Sequence, residues 1–110
     1  MASSDSDAYA AFYVTVPNRE LGVKIAESLL TAKLCACVNL IPQVESMYWW
    51  EGKVETDKEL LLMIKSKRAL LDQITSLVKE NHEYDTPEVI AVPIVGGSTE
   101  YLKWIEENTK

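Results

Sequence analysis

Four residues of this sequence are singled out by type and position as candidate metal ligands. They are Cys35 and Cys37, the only cysteines, His82, the only histidine, and Glu88, six residues after that histidine. An imidazole with a carboxylate suits Cu²⁺ or Zn²⁺, whereas a thiolate favours Cu⁺. One histidine is a thin basis for a metal site within one chain, so a capping or interface role is the favoured interpretation of His82 there.

The two cysteines are predicted to be reduced thiols. They stand two residues apart in a predicted strand, so their side chains are expected on the same face, about 6.5 to 7 Å apart. This separation exceeds the usual Cβ distance of a disulfide. As reduced thiols they are favoured as small apolar core residues over functional ones, because free cysteine is among the most buried residue types.

Three consecutive aromatic residues, Tyr48, Trp49 and Trp50, precede a predicted tight turn at Glu51–Gly52. Such rings can line a ligand cleft when a few polar groups accompany them. Trp50, Lys53 and Glu88 are the candidate binding residues of a cleft between subunits. Interface packing at the tip of a hairpin is the alternative explanation for the rings.

The hydrophobic periodicity predicts four strands and three helices. The strands are expected over 9–16, 35–50 with a break at Pro42–Gln43, 53–64 and 88–95. A first helix over about 19–33 is capped by Asn18, a second is capped by Ser66 and ends near Asn81, and a short third helix contains Tyr101 and Ile105.

This order predicts an α+β subunit with the ferredoxin-like split βαβ topology, a long β-hairpin and an extra C-terminal helix. In that topology the second and fourth strands lie at the sheet edges. Pro42 and Pro93 agree with this placement, because a missing N–H is tolerated only at an edge or a bulge.

Two features predict that one chain is incomplete alone. The strands are nearly continuous apolar runs, although the two main helices of this topology cover only one sheet face. The strand over 53–64 is about 40 Å long, whereas a compact domain of this size is only about 34 Å across. Copies that cover one another's faces and edges in a closed ring explain both features.

Composition places the chain among ordinary globular proteins. It has 110 residues, 47% of them hydrophobic and 25% charged, and a formal net charge of −6. This charge opposes nucleic acid and anionic membrane surfaces as partners, and the chain has no apolar run long enough for direct membrane insertion. We expect a polar, disordered lead-in over residues 1–8, one domain over 9–110, and a cytoplasmic location, or an organellar one if a targeting segment precedes this chain.

The sequence offers little support for an enzyme. It has neither a nucleophile elbow nor a phosphate-binding glycine loop, and Gly96–Gly97 alone predicts a turn. A non-enzymatic binding protein is the favoured interpretation.

Several ordered motifs together resemble the CutA divalent-cation-tolerance family. The resemblance runs from about residue 9 to the C-terminus and rests on segments 13–18, 33–34 with 37–42, 48–53, 86–90 and 101–104. It implies a ferredoxin-like subunit in an intertwined homotrimer, similar in architecture to the PII signalling proteins. It also implies binding of copper or another divalent cation, a role in response to metal ions, and, in animal relatives, a protein partner in acetylcholinesterase anchoring.

The resemblance also implies roles for individual residues. His82 and Glu88 align with proposed metal ligands of the family, and Cys37 occupies the family's cysteine position. The metal candidates are therefore Cys37, His82 and Glu88. This sequence departs from the family at Glu83, often Pro, and at Cys35, often Ala. A trimeric scaffold for a protein partner, with incidental metal binding, is the alternative function.

Overall fold

The computed structural model describes residues 7–110, so most of the predicted lead-in over 1–8 lies outside the described residues. The strands are β1 (Tyr9–Val16), β2 (Cys37–Trp50), β3 (Lys53–Lys67) and β4 (Ile90–Pro93). The helices are α1 (Arg19–Thr31), α2 (Leu71–Asn81), which follows a 3₁₀ turn at Arg68–Leu70, and α3 (Thr99–Glu107). The α+β class and the element order of the split βαβ topology are confirmed.

The four strands form one antiparallel sheet in the order β2-β3-β1-β4, which places β2 and β4 at the edges as predicted. The core lies between one face of this sheet and the helices α1 and α2. It includes Phe12, Val14, Leu62 and Ile64 from the strands. The opposite sheet face, called the second face below, carries Tyr13, Leu61 and Met63 by strand alternation, and these side chains are half-buried.

Helix α3 covers one end of the second face. Ile105 is fully buried there, and Lys65 places its ammonium 5.6 Å from the ring centre of Tyr101. Lys67 forms an ion pair with Glu106 at 2.9 Å, and the Tyr9 hydroxyl donates to the same carboxylate at 3.2 Å. The rest of the second face has exposed apolar side chains, among them Ile90 and Val92 on β4.

Strands β2 and β3 form a hairpin that extends past the sheet and gives the chain a long axis of 46 Å. Strand β1 pairs with β3 only from Leu60 onward. Beyond that point, residues 44–50 and 53–59 pair with each other, and we call them the ribbon. The turn at its tip has Glu51 at φ 49° and Gly52 at φ 79°, the left-handed conformations that a two-residue hairpin turn requires.

The predicted break at Pro42–Gln43 is a β-bulge within one continuous strand. Ile41 pairs with Leu61 and Val44 with Glu59, so two residues of β2 oppose the single residue Leu60. Gln43 adopts a φ of 65° at this point. The extra residue shifts the alternation of side chains along the outer half of β2.

Several predicted boundaries were wrong. Helix α1 ends at Thr31 rather than near residue 33, β3 continues to Lys67, and β4 is only four residues long. Ser66 caps no helix, because it lies in β3, where its buried hydroxyl donates to the Leu34 carbonyl at 2.6 Å. Asn18 does cap α1, since its side chain accepts from the Leu21 N–H at 2.9 Å.

The Ser66 hydroxyl ties the α1–β2 connection to the sheet, so we expect Ser66→Ala to destabilise the fold. Removing the donor leaves the Leu34 carbonyl without this partner, at a cost of about 1 to 3 kcal/mol of unfolding free energy. Chemical denaturation measures the change. Ser76→Ala on the exposed side of α2 is the control, and equal stability of the two variants would contradict the role of Ser66.

The anchoring of α3 is expected to weaken in acid. The hydrogen bond from Lys67, with that from Tyr9, lowers the pKa of Glu106 below its ordinary value. The ionised carboxylate therefore stabilises the folded state above the ordinary pKa, and this contribution is lost as the pH falls through the lowered pKa. Glu106→Gln should show a smaller fall in melting temperature between pH 6 and pH 3 than the wild type, while Glu107→Gln should not. Identical pH profiles for both variants would contradict the anchoring.

Candidate functional site

His82 connects the loop after α2 to the end of β1 by a hydrogen bond. Its Nε2 lies 2.8 Å from the Thr15 carbonyl oxygen, and its Nδ1 accepts the Tyr84 N–H at 3.1 Å. Because Nδ1 accepts, Nε2 must carry the proton and donate to the carbonyl. Both ring nitrogens therefore have hydrogen-bond partners within the chain. His82 thus has a structural role, which was the alternative to metal binding.

Tyr84 continues this connection from the loop to the ribbon. Its ring lies 4.6 Å from the His82 ring, and its hydroxyl donates to Glu59 Oε2 at 2.8 Å. Glu59 is only 7% exposed, so the bond satisfies a carboxylate that is largely removed from water. Burial, with the Glu59 carboxylate as second cause, raises the pKa of Tyr84 above its ordinary value.

A second tyrosine–carboxylate pair lies beside the first. The Tyr48 hydroxyl donates to Asp57, and this hydrogen bond is the main cause that raises the pKa of Tyr48 to about 12. Partial burial and the neighbouring Glu59 charge raise the pKa of Glu88. We call these five residues, Tyr48, Asp57, Glu59, Tyr84 and Glu88, the tyrosine–carboxylate cluster.

The sequence prediction included Glu88 in a candidate site but missed Glu59, Tyr84 and Asp57. Glu59 follows Glu55 and Asp57 on the same face of β3, so strand periodicity does not distinguish it from these exposed acidic residues. A buried carboxylate requires a partner. The partner Tyr84 comes from a loop, and strand periodicity says nothing about loop positions.

The structure separates Cys37 from His82 within one chain. Ile41 of β2 pairs with Leu61 of β3, which in turn pairs with Thr15 of β1, the residue whose carbonyl oxygen contacts His82. Cys37 lies four residues before Ile41 on β2. Strand geometry puts Cys37 about 13 Å along and about 10 Å across from Thr15. Across residues 7–110, no three His, Cys, Asp or Glu side chains are grouped as a metal site. One chain therefore does not fit a metal at Cys37, His82 and Glu88 together.

The candidate cleft residues are also apart within one chain. Trp50 and Lys53 are direct cross-strand partners at the ribbon tip, where Trp50 is 58% exposed. Glu88 lies near Glu59. Glu59 is six residues along β3 from Lys53, which corresponds to about 20 Å between these two residues. The chain brings Trp50 and Lys53 together and leaves Glu88 at the ribbon base.

The two cysteines are free, as predicted, but the prediction that they share a strand face was wrong. Strand β2 begins only at Cys37, and Cys35 precedes it as a buried member of the core. Burial raises the pKa of the Cys35 thiol to about 12, so it stays protonated. Cys37 is half-buried and pairs with Lys65, whose side chain lies on the second face.

Residues 10–108 match the family model described as CutA1 divalent ion tolerance protein. The chain belongs to the CutA1 family. A family member from Thermus thermophilus, a divalent-cation tolerance protein CutA, is 43% identical, with alignment over 87% of this chain and 93% of that protein.

Relatives from rice agree with this assignment. Protein CutA 1, chloroplastic, from Oryza sativa is 58% identical over 89% of this chain. The crystal structure of CutA1 from Oryza sativa superposes with a TM-score of 0.91 at 54% identity, covering 96% of this chain and 97% of that one. The alignment covers 55% of the curated rice protein, so the chain spans about half the length of that relative.

The structural role of His82 is testable by substitution. His82→Ala removes the partners of the Thr15 carbonyl and the Tyr84 N–H, so we expect a loss of about 1 to 3 kcal/mol in unfolding free energy and faster amide exchange at Tyr84. Hydrogen exchange and denaturation measure the two effects. Glu83→Ala, in the same loop, is the control, and a His82→Ala variant as protected as this control would contradict the role.

Proposed function

We propose that this chain forms a homotrimer that acts as a non-enzymatic, metal-linked binding or signalling protein in tolerance to divalent cations, copper among them. The observation that carries the proposal is the match of residues 10–108 to the CutA1 divalent ion tolerance family. The Thermus relative, named for divalent-cation tolerance, supports the same role.

The assembly is supported by apolar surface that one chain leaves uncovered. Trp49 is 76% exposed and Met47 72% exposed on the ribbon, and Ile90 on the second face is also exposed. Exposed large apolar side chains of this kind are typical of interaction sites. A second copy of the chain offers apolar surface of the same kind to cover it.

Metal binding, in this proposal, depends on the assembly. Cys37, His82 and Glu88 remain the candidate ligands, contributed by different copies, because Cys37 and His82 lie too far apart within one chain. Trp50, Lys53 and Glu88 are the candidate residues of a cleft between copies for the same reason. The buried, protonated Cys35 is excluded from the ligand set.

A trimeric scaffold with incidental metal binding is the second candidate function. Both ring nitrogens of His82 already have partners within the chain, an observation that favours this alternative. A metal at His82 must displace one of these hydrogen bonds. In the scaffold alternative, the exposed aromatic residues serve a protein partner.

An organellar location is the better supported one. The rice relative is named chloroplastic, and we propose a plastid compartment over the cytoplasmic one on that basis. Among the described helices, none has the length and apolar character needed to cross a bilayer.

The trimer is tested by mass. We expect light scattering to give about three times the 12.4 kDa chain mass, with dissociation and unfolding coupled on dilution. Trp50→Ala should weaken the assembly, because aromatic anchors dominate interfaces. A folded protein with the mass of one chain would contradict the proposal, and unchanged mass and melting temperature in Trp50→Ala would remove this ring from the interface.

The metal site is tested by copper titration of the assembled wild type and of Cys37→Ser, His82→Ala and Cys35→Ser. We expect about a ten-fold loss of affinity, roughly 1.4 kcal/mol, in the first two variants and none in the third. Light scattering on each variant confirms that it remains assembled. Equal affinity in all four proteins would contradict the ligand set and favour the scaffold.

A further inference from the structure

The two cysteines stand at the connection between α1 and β2. They are the only cysteines of the chain, and both are free. Two cysteines that share a strand face are held about 6.5 to 7 Å apart, which is too far for a disulfide. That constraint does not apply to this pair, because β2 begins only at Cys37 and the backbone bends at Ala36.

The Cys35 sulfur lies beside the backbone of Cys37. The Cys37 N–H is close enough to act on the Cys35 thiol as a hydrogen-bond donor. From that N–H, only the Cα and Cβ atoms of Cys37 lead to its own sulfur. The bend at Ala36 therefore places both sulfurs at the same short stretch of backbone.

A bond between the two sulfurs requires a backbone movement. Cys35 is 1% exposed and belongs to the core. Cys37 is half-buried and pairs with Lys65, whose side chain lies on the second face. The two side chains thus point to opposite sides of the sheet, and they must be brought together before a disulfide can close.

This movement is confined to the start of β2. The segment before it is held by the Leu34 carbonyl, which accepts the Ser66 hydroxyl at 2.6 Å. At the bend, the Ala36 N–H donates to the Lys65 carbonyl at 2.9 Å. Loss of this bond and of the terminal Cys37–Lys65 pair frees the segment, while the later pairs of β2 with β3 stay in place. A disulfide closed in this way is strained, and strained disulfides are the labile, regulatory ones.

We propose that Cys35 and Cys37 form a reversible redox pair, which a small disulfide of the glutathione class oxidises to an intrachain disulfide and excess thiol reduces again. The reduced dithiol is the resting form, because Cys35 then packs in the core and the start of β2 stays paired. This chemistry requires neither a metal nor an assembly, so the inference goes beyond the proposed function.

The exchange balances in two steps. The Cys37 sulfur, which is the more exposed one, attacks one sulfur of oxidised glutathione, and the S–S bond of the reagent breaks to release one glutathione thiolate. The Cys35 sulfur then displaces the second glutathione from the mixed disulfide at Cys37. The protons of both cysteines pass to the two released glutathione thiolates. Two thiols of the protein are thus oxidised, and one glutathione disulfide is reduced.

One consequence of the pair rests on the proposed function. The metal ligand is a thiolate and not a disulfide sulfur, so oxidation withdraws Cys37 from the candidate ligand set. Cys35 is excluded from that set by its burial, and its role in the regulation is to capture Cys37.

Mass spectrometry of the folded protein tests the pair. The protein is equilibrated in mixtures of reduced and oxidised glutathione and quenched with acid, and its remaining thiols are blocked with N-ethylmaleimide. Trypsin then leaves both cysteines in one peptide, 34–53. We expect the wild-type peptide to lose two hydrogen atoms as the oxidised share of glutathione rises, and dithiothreitol to reverse this loss.

Two variants are the matched controls. Cys35→Ala should stop at the mixed disulfide of Cys37 with glutathione, because no second thiol displaces the glutathione. Cys37→Ser should stay unmodified, because its remaining thiol is buried. Melting curves check that each variant is folded, and Cys35→Val replaces Cys35→Ala if the smaller side chain destabilises the core.

Three results would overturn the redox pair. They are a wild-type peptide that carries only the glutathione adduct seen in Cys35→Ala, a disulfide between two chains, and oxidation that appears only in denaturant. In the last case the folded bend would have no part in the reaction.

Anaerobic copper titration of the oxidised wild type separates the redox pair from the proposed ligand role. The oxidised protein should bind copper about ten-fold more weakly than the reduced protein, as expected for Cys37→Ser. Equal affinity of the two forms would contradict Cys37 as a ligand and leave the redox pair intact. Failure of the disulfide to form would overturn the pair and leave the ligand role intact.

Discussion

The bulge at Pro42–Gln43 controls which side chains the outer half of the hairpin presents to each side. Without it, the alternation that places Ile41 on the second face would continue through residues 43, 45, 47 and 49. With two residues opposite Leu60, the side of the second face instead receives Val44, Tyr48 and Trp50. Tyr48 then reaches Asp57, and the tyrosine–carboxylate cluster can form next to the loop of residues 82–89. The edge position of β2 permits this arrangement, because in the described sheet no strand beyond β2 requires the N–H that Pro42 lacks.

The position of the loop after α2 depends on the hydrogen bonds of this cluster and of His82. The imidazole connects the end of β1 with the Tyr84 N–H, and the Tyr84 hydroxyl then reaches Glu59 on the ribbon. A hydrogen-bonded route thus joins β1, the loop and the ribbon. The residue with the most obvious metal chemistry in the sequence is therefore the one whose nitrogens the fold already uses.

The fold could be predicted largely from sequence because its signals are periodic and local. The strand at Tyr9–Val16, the cap at Asn18 and the turn at Gly52 each follow from residue type and spacing. Ser66 was misassigned because serine satisfies a buried carbonyl as well as a helix end, and only the tertiary contact with Leu34 decides between them. The pairing of Tyr84 with Glu59 joins residues 25 apart, and neither periodicity nor motif spacing indicates such a contact. The candidate site was predicted less well for this reason.

The separation of the candidate ligands links assembly to binding. Cys37 and Thr15, whose carbonyl oxygen contacts His82, lie about 16 Å apart in one chain by strand geometry, and Glu59, whose charge acts on Glu88, lies about 20 Å along β3 from Lys53. In the proposed trimer, a site that unites either set lies where different copies meet, and a symmetric ring then repeats it at every interface. A ligand at such a site binds the assembled state and not the separate chains, so it must stabilise the assembly by mass action. Metal response and assembly are then two measures of one equilibrium in the proposed trimer.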